Sequence, residues 1–295
     1  MEEVTLLSPA KINFFLEVLG KREDGYHEVR TALALIDLCD EVHLQRRTSG
    51  LEVKCSDPRA PQGPANLAYQ AAELFFHARG LGGIGLTIFI QKRIPVAGGL
   101  GGGSSNAAAT LWGLNQLFDL RLSREELQKL GARLGSDVPF FLTEGVALAE
   151  GRGDLLTPLP PLPPLWVVLV NPGLEVSTAW AFSKLKMGLT SPDPDINIID
   201  LMCRGGFPAI LARAANSLEA PVFECYPILG ELKQRFLSWG ARPALMTGSG
   251  PTVFGAFPDE GIARACRDYF SMGGYFTALC RTLDHNPIFK GWKGG

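Results

Sequence analysis

The sequence predicts an α+β fold. Segments with strand and helix character are mixed along the chain rather than strictly alternating, which argues against a doubly wound parallel sheet. The first half opens rich in β-formers, and helices with clear end signals follow. The chain has 295 residues, 46% apolar and 20% charged, an ordinary globular balance with room for one large or two medium domains.

Residues 12–19 and 29–36 read as strands. A polar loop, Lys21-Arg22-Glu23-Asp24-Gly25-Tyr26-His27, joins them, and its Asp-Gly pair signals a tight turn. Short strands are expected at 41–45 and 51–54. Asn66 caps a first helix whose stripe is Leu67, Ala71, Leu74, Phe75 and Ala78, and Gly80 ends it. A strand at 84–90 leads to a glycine-rich segment and then a helix over about 106–118. The next helix carries a capping box, Ser123 with Glu126, a stripe of Leu127, Leu130 and Leu134, and Gly135 as its stop. Residues 157–164 read Thr-Pro-Leu-Pro-Pro-Leu-Pro-Pro, a linker or a rigid surface loop, and they divide the chain into 1–156 and 157–295. Beyond it come a strand at 166–170, a helix around 177–185, a variable loop near Pro192–Pro194 and two further helices. The turn Thr247-Gly248-Ser249-Gly250, a strand at 252–257, a helix at 261–270 and a strand at 275–280 close the fold.

Net charge is −2, so nothing favours nucleic acid or an anionic membrane as partner. The start, Met1-Glu2-Glu3-Val4, is acidic where a signal peptide is basic, and residues 165–170 are too short an apolar run to span a bilayer. Six cysteines without a C-x-x-C pair read as buried reduced thiols, and the expected location is cytoplasmic.

The most informative segment is Pro95-Val96-Ala97-Gly98-Gly99-Leu100-Gly101-Gly102-Gly103-Ser104-Ser105. Glycine is costly in regular structure, so a dense cluster needs a reason, and close backbone approach to a ligand supplies one. Bare N–H groups followed by a helix N-terminus form an anion site. Ser104, Ser105 and Asn106 suit the N-cap, and the hydroxyls are also within reach of phosphate or Mg2+. The chain has no Walker A sequence, and the loop itself has no Gly-x-Gly-x-x-Gly.

This loop resembles the phosphate-binding loop of the GHMP kinase superfamily. Pro9-Ala10-Lys11-Ile12-Asn13, Asp24-Gly25-Tyr26-His27 and Leu134-Gly135-Ser136-Asp137-Val138-Pro139-Phe140-Phe141 narrow the resemblance. They are similar to the branch that phosphorylates the 2-hydroxyl of 4-diphosphocytidyl-2-C-methyl-D-erythritol in non-mevalonate isoprenoid synthesis. Asn66-Leu67, Gly151-Arg152-Gly153, Ala215-Asn216-Ser217-Leu218-Glu219 and Thr247–Gly250 fall in the expected order, so the similarity runs over residues 6–287. Ser217 departs from the aspartate more often found there.

The resemblance implies a two-domain fold, with an N-terminal ribosomal-protein-S5-like α/β domain and a C-terminal ferredoxin-like α+β domain. The active site lies in the cleft between them. It implies ATP with Mg2+, and a small-molecule substrate bearing cytidine diphosphate. Monomer and homodimer both stay open. Asp137 becomes the base that takes the acceptor's proton. Residue type alone favours a helix cap for it. Lys11 becomes the cation beside that carboxylate and the transferring phosphoryl group, against the ordinary reading of a solvated lysine. Residues 95–105 hold ATP. Tyr26 and Phe182 supply aromatic faces for the cytosine, with Trp180 as an alternative to Phe182, and His27 reads the ring edge. Asn13 touches the substrate, and Gly248 and Ser249 help to place phosphates from a second loop facing the first. Two alternatives remain: another GHMP small-molecule kinase, or a non-catalytic nucleotide-binding protein on the same fold.

Overall fold

A computed structural model describes residues 2–185, 211 and 213–290. Pro192–Pro194 and Cys203 lie outside them. Two long strands, β1 (Glu3–Lys21) and β2 (His27–Arg47), form an antiparallel hairpin closed by the expected turn. Arg22 N donates to Tyr26 O at 2.8 Å, and Gly25 supplies the left-handed φ of +87°. The strands expected at 29–36 and 41–45 are one strand. Pairing jumps from Pro9–Cys39 to Ala10–Ile36, so Asp37 and Leu38 form a bulge inside it, with Asp37 exposed and Leu38 packed against the middle cluster.

β3 (Leu51–Cys55), β4 (Gly85–Gln91), β5 (Val146–Glu150) and β6 (Leu155–Pro158) complete this sheet in the order β3-β4-β2-β5-β6, with β1 on β2. Helix α1 (Leu67–Arg79) keeps its predicted ends. The Asn66 side chain accepts from Ala68 N, and Gly80 is left-handed. One Gly-x-Gly-x-x-Gly match, Gly80 to Gly85, ends α1 and leads into β4. That is the reverse of the strand-to-helix order a dinucleotide site needs. Helix α2 (Gly102–Leu117) begins four residues before the expected 106. Its cap is Gly101 with no side-chain bond, not Ser104, Ser105 or Asn106. Glycine's low helix propensity hid the first turn. Helix α3 (Arg124–Gly131) has both bonds of its capping box but stops before Gly135, which falls in the turn that follows. A 3-10 turn covers Pro139–Leu142.

The second sheet is antiparallel, ordered β10-β7-β9-β8, from β7 (Trp166–Asn171), β8 (Ala244–Met246), β9 (Val253–Phe257) and β10 (Phe276–Arg281). Helices α4 (Thr178–Ser183), α5 (Glu219–Cys225) and α6 (Pro227–Ser238) precede β8, and α7 (Glu260–Ser271) joins β9 to β10. Strand–helix–strand–strand–helix–strand in this spatial order is the ferredoxin-like arrangement. β8 was not expected, because three residues are too short to show an alternating pattern.

Three apolar clusters stack through the molecule. One lies between the first sheet and α1–α3, with Phe75, Leu111, Phe140 and Phe141. One lies between the sheets, where Ile12, Phe14 and Ala34 meet Leu169, Leu245 and Phe254. The third packs Val170, Val253 and Phe257 of the second sheet against Leu232, Phe236 and Phe270. The proline-rich stretch starts within β6, and Leu162 and Leu165 anchor it in the middle cluster, so it is docked rather than free. Of the described cysteines, Cys39, Cys266 and Cys280 are buried free thiols as expected; Cys55 is half-buried and Cys225 exposed.

Candidate active site

The site is organised by the outer edge of β1. Main-chain N–H groups that do not pair with β2 are taken up one after another along it. Lys11 N donates to Leu100 O at 3.0 Å, Asn13 N to Thr247 Oγ1 at 3.2 Å, and Leu16 N to Ala215 O at 2.8 Å. Val18 N donates to Ser217 Oγ at 3.3 Å, so the serine that departs from the family pattern serves as an acceptor for this edge. One strand thus gathers both glycine loops and the 215–217 segment, meeting the demand that buried N–H groups find partners.

The two loops touch rather than face each other across a gap. A Cβ on Gly99 would lie 2.3 Å from Thr247 O and 2.9 Å from Gly250 O, and Gly99 has φ +75°. Gly101, at φ +71°, has Phe141 Cζ 2.7 Å and Lys11 Cγ 3.0 Å from its Cβ position. Gly103 is exposed in the first turn of α2, with only Leu67 Cδ1 nearby at 3.7 Å. Gly99→Ala is therefore expected to destabilise the fold by about 1–2 kcal/mol from the left-handed backbone alone, plus the cost of parting the loops. Gly103→Ala should be neutral or stabilising, and thermal unfolding of the two variants distinguishes them. The first turn of α2 keeps its N–H groups free of any side-chain cap, which leaves them for an anion.

Lys11 is 4% exposed, not the solvated lysine its residue type favours. Its Nζ donates to Asn13 Oδ1 at 2.6 Å and lies 3.2 Å from the Cβ position of Gly248. Burial pushes the Lys11 ammonium below its ordinary value, and the Asp137 charge opposes that fall. Asp137 stands half-buried in the turn closed by Val138 N to Gly135 O, at 3.2 Å. The residue at the N-cap of the 3-10 turn is Val138, and no side chain caps it, so Asp137 is not spent as a cap. No donor among the described residues holds its carboxylate, which is open to an incoming hydroxyl.

Asn13 is buried, and its side chain is committed to the protein: Oδ1 accepts from Lys11 and Thr247, and Nδ2 donates to Thr31 at 2.8 Å. Further out, the His27 ring lies on Phe182 of α4, with centroids 4.9 Å apart. Trp180 packs on Tyr226 instead. Tyr26 is 54% exposed, with the Arg152 guanidinium 5.0 Å over its ring. Burial and the nearby Lys21 lower the His27 pKa, favouring a neutral ring. Ser249 exchanges a hydrogen bond with Thr178 Oγ1 at 2.9 Å, which ties the second loop to α4.

Sequence reasoning missed the polar scaffold under the loop. Asp40, wholly buried, takes Lys92 Nζ at 2.5 Å, Asn106 Nδ2 at 2.9 Å, and the N–H groups of Arg93 and Ile94. Asn106 also donates to Ser8, and Ser8 to Ser105 at 2.7 Å, so the Ser105 hydroxyl faces the protein. Asn216 was noted only as part of a motif. It donates to Met246 O at 2.7 Å and Gly248 O at 2.8 Å, and so braces the second loop. Only the run of polar types beside apolar strands hinted at these residues, because their partners are far away in the chain.

Known proteins resemble this chain over nearly its whole length. The family of GHMP kinases N terminal domains matches residues 66–145, and that of GHMP kinases C terminal matches 198–272. A 4-diphosphocytidyl-2-C-methyl-D-erythritol kinase of Citrifermentans bemidjiense is 46% identical over 96% of this chain and all of its own. The enzyme of the same name from Geobacter metallireducens is 44% identical over the same shares. A crystal structure of 4-(cytidine 5'-diphospho)-2C-methyl-D-erythritol kinase superimposes with TM-score 0.79 at 38% identity, covering 95% of this chain and 99% of that one. Homoserine kinase from Cytophaga hutchinsonii shares the fold, with TM-score 0.74 at 18% identity over 97% of this chain and 96% of its own. The chain belongs to the GHMP kinase family, among the 4-diphosphocytidyl-2-C-methyl-D-erythritol kinases.

Proposed function

We propose that this protein transfers the γ-phosphoryl group of ATP to the 2-hydroxyl of 4-diphosphocytidyl-2-C-methyl-D-erythritol, a step of non-mevalonate isoprenoid synthesis. The observation that carries the reading is the buried Lys11 ammonium, set between Gly101 of the first glycine loop and Gly248 of the second and acted on by Asp137. A cation and a carboxylate at the mouth of an anion-binding helix are what in-line phosphoryl transfer needs. The N–H groups at the start of α2, with the rest of residues 95–105, cradle the triphosphate. Asp137 accepts the proton of the attacking hydroxyl, and Lys11 offsets charge on the transferring group. Gly248 and Ser249 border the phosphates, and Asn13 acts by holding Lys11 beside the substrate. The work divides between residues 1–156 and 157–295, and free thiols in the described chain fit a cytoplasmic setting.

Mg2+ fits this site as an ion carried by the triphosphate. Among the described residues no group of three His, Cys, Asp or Glu could cage it, and Ser104 is partly exposed in the first turn of α2. When bound it would neutralise phosphate charge.

Tyr26, His27 and Phe182 recognise the cytosine. Phe182→Ala should raise KM for the cytidylyl substrate about 5- to 150-fold, the equivalent of about 1–3 kcal/mol of stacking, with KM for ATP unchanged. The function is tested by an ADP-release assay with 4-diphosphocytidyl-2-C-methyl-D-erythritol against mevalonate, homoserine and galactose. Turnover confined to the first supports it. Turnover of another acceptor, or none, rejects it.

A further inference from the structure

We propose that Thr247 is a positioning residue for phosphoryl transfer, whose hydroxyl fixes Asn13 and through it the Lys11 ammonium. The inference rests on the reading that Lys11 serves the transfer. Thr247 is wholly buried. Its hydroxyl donates to Asn13 Oδ1 at 3.0 Å, with Gly99 O a second, longer acceptor at 3.4 Å, and accepts from Asn13 N at 3.2 Å, so one oxygen holds both main chain and side chain of the same residue. That same Oδ1 receives Lys11 Nζ at 2.6 Å.

The orientation of the Asn13 amide is fixed by Thr31, and Asn13 Oδ1 is the nearer of the two acceptors of the Thr247 hydroxyl. Thr31 spends its only hydroxyl hydrogen on Phe15 O at 2.6 Å. It can therefore only accept from Asn13, at 2.8 Å. The amide nitrogen of Asn13 must face Thr31, and its oxygen must face Lys11 and Thr247. Thr247 in turn is held from its own side. Its N–H donates to Thr252 O at 3.0 Å, and Asn216 grips the carbonyls of Met246 and Gly248 on either side of it. Lys11 and Asn13 belong to the first sheet and Thr247 to the loop of the second. One hydroxyl therefore sets where the ammonium lies relative to the second glycine loop.

Valine has the shape of threonine without the hydroxyl. In Thr247→Val the buried Asn13 N–H loses its acceptor and Oδ1 loses a donor, so the amide and the ammonium it holds are freed to shift. A displacement of about 1 Å in a reacting group costs up to about 100-fold in rate. Thr247→Val should lower kcat on the order of 10- to 100-fold while KM for ATP and for the cytidylyl substrate stay near wild type. Thr247→Ser, which keeps the hydroxyl, should recover most of that loss. With lysine labelled at 13Cε, the Lys11 resonance, assigned by its absence in Lys11→Met, should be one line in wild type and Thr247→Ser. It should be shifted or split in Thr247→Val. Should the valine variant not fold, Thr247→Ala takes the same measurements.

Wild-type turnover by the valine variant, a loss confined to KM, a serine variant as impaired as valine, or an unmoved Lys11 line would each overturn the proposal. If wild-type protein fails to turn over the cytidylyl substrate, the functional reading falls by itself. The resonance of Lys11 needs no substrate and still decides whether Thr247 holds it.

Discussion

Asp137→Asn is expected to lower kcat by about 10²- to 10⁴-fold, the range a positioned general base supplies, and to leave KM for ATP nearly unchanged. The asparagine side chain keeps the shape of the carboxylate but cannot take the proton that the acceptor hydroxyl loses as it attacks phosphorus. ATP binding should survive, because the proposed phosphate cradle is main chain at the start of α2, whose cap is Gly101 and not Asp137. The change leaves no donor among the described residues unpaired and removes no helix cap, but it takes away the charge that offsets burial of the Lys11 ammonium, so a modest loss of stability is expected at neutral pH. Rapid-quench measurement of the chemical step with saturating ATP checks this, and turnover near wild type would remove Asp137 as base.

Lys11→Met is the second large effect, about 10²- to 10³-fold in kcat, by analogy with deletion of one preorganised donor to a developing anion. Methionine fills the same channel past Gly101 without a charge. The side chain is 4% exposed and pays for desolvation, so the variant should be as stable as wild type or more so at neutral pH. The pH dependence follows from the sign of the shift. Burial lowers the Lys11 pKa from 10.5, so the folded protein binds fewer protons than the unfolded chain between the lowered value and 10.5. Wild-type stability therefore rises with pH in that window as the burial cost is relieved, and the variant's advantage shrinks. If the protonated ammonium is the working form, wild-type kcat/KM has an alkaline limb below 10.5 that Lys11→Met lacks. Asp137 is the charged neighbour that limits how far the limb moves.

These two effects differ from that of Gly99→Ala in what they report. The side-chain variants remove chemistry from an intact frame. The glycine variant pushes Thr247 O, 2.3 Å from the new Cβ, out of place and so disturbs the frame itself. Its signature is lost stability first and lost turnover as a consequence.

Features that depend on neighbours along the chain were readable from the residue types. The Asn66 and Gly80 ends of α1, the Ser123–Glu126 capping box and the Asp24–Gly25 turn each satisfy local backbone groups, and all stand where the residue types place them. The glycine run stands before α2 as its residue types place it, and the motifs singled out Lys11, Asp137 and the His27 loop, whose roles are those proposed above. Tertiary structure alone decided the rest. Only packing puts Lys11 out of water, selects Phe182 over Trp180 beside His27, and sets the glycine loops in contact. Asp40 meets Lys92 across 52 positions and Thr247 meets Asn13 across 234. A hydroxyl or carboxylate carries no local sign of which distant partner will satisfy it. That choice is made when the outer edge of β1 is covered by the glycine loops and the 215–217 segment and its outward N–H groups must each find an acceptor.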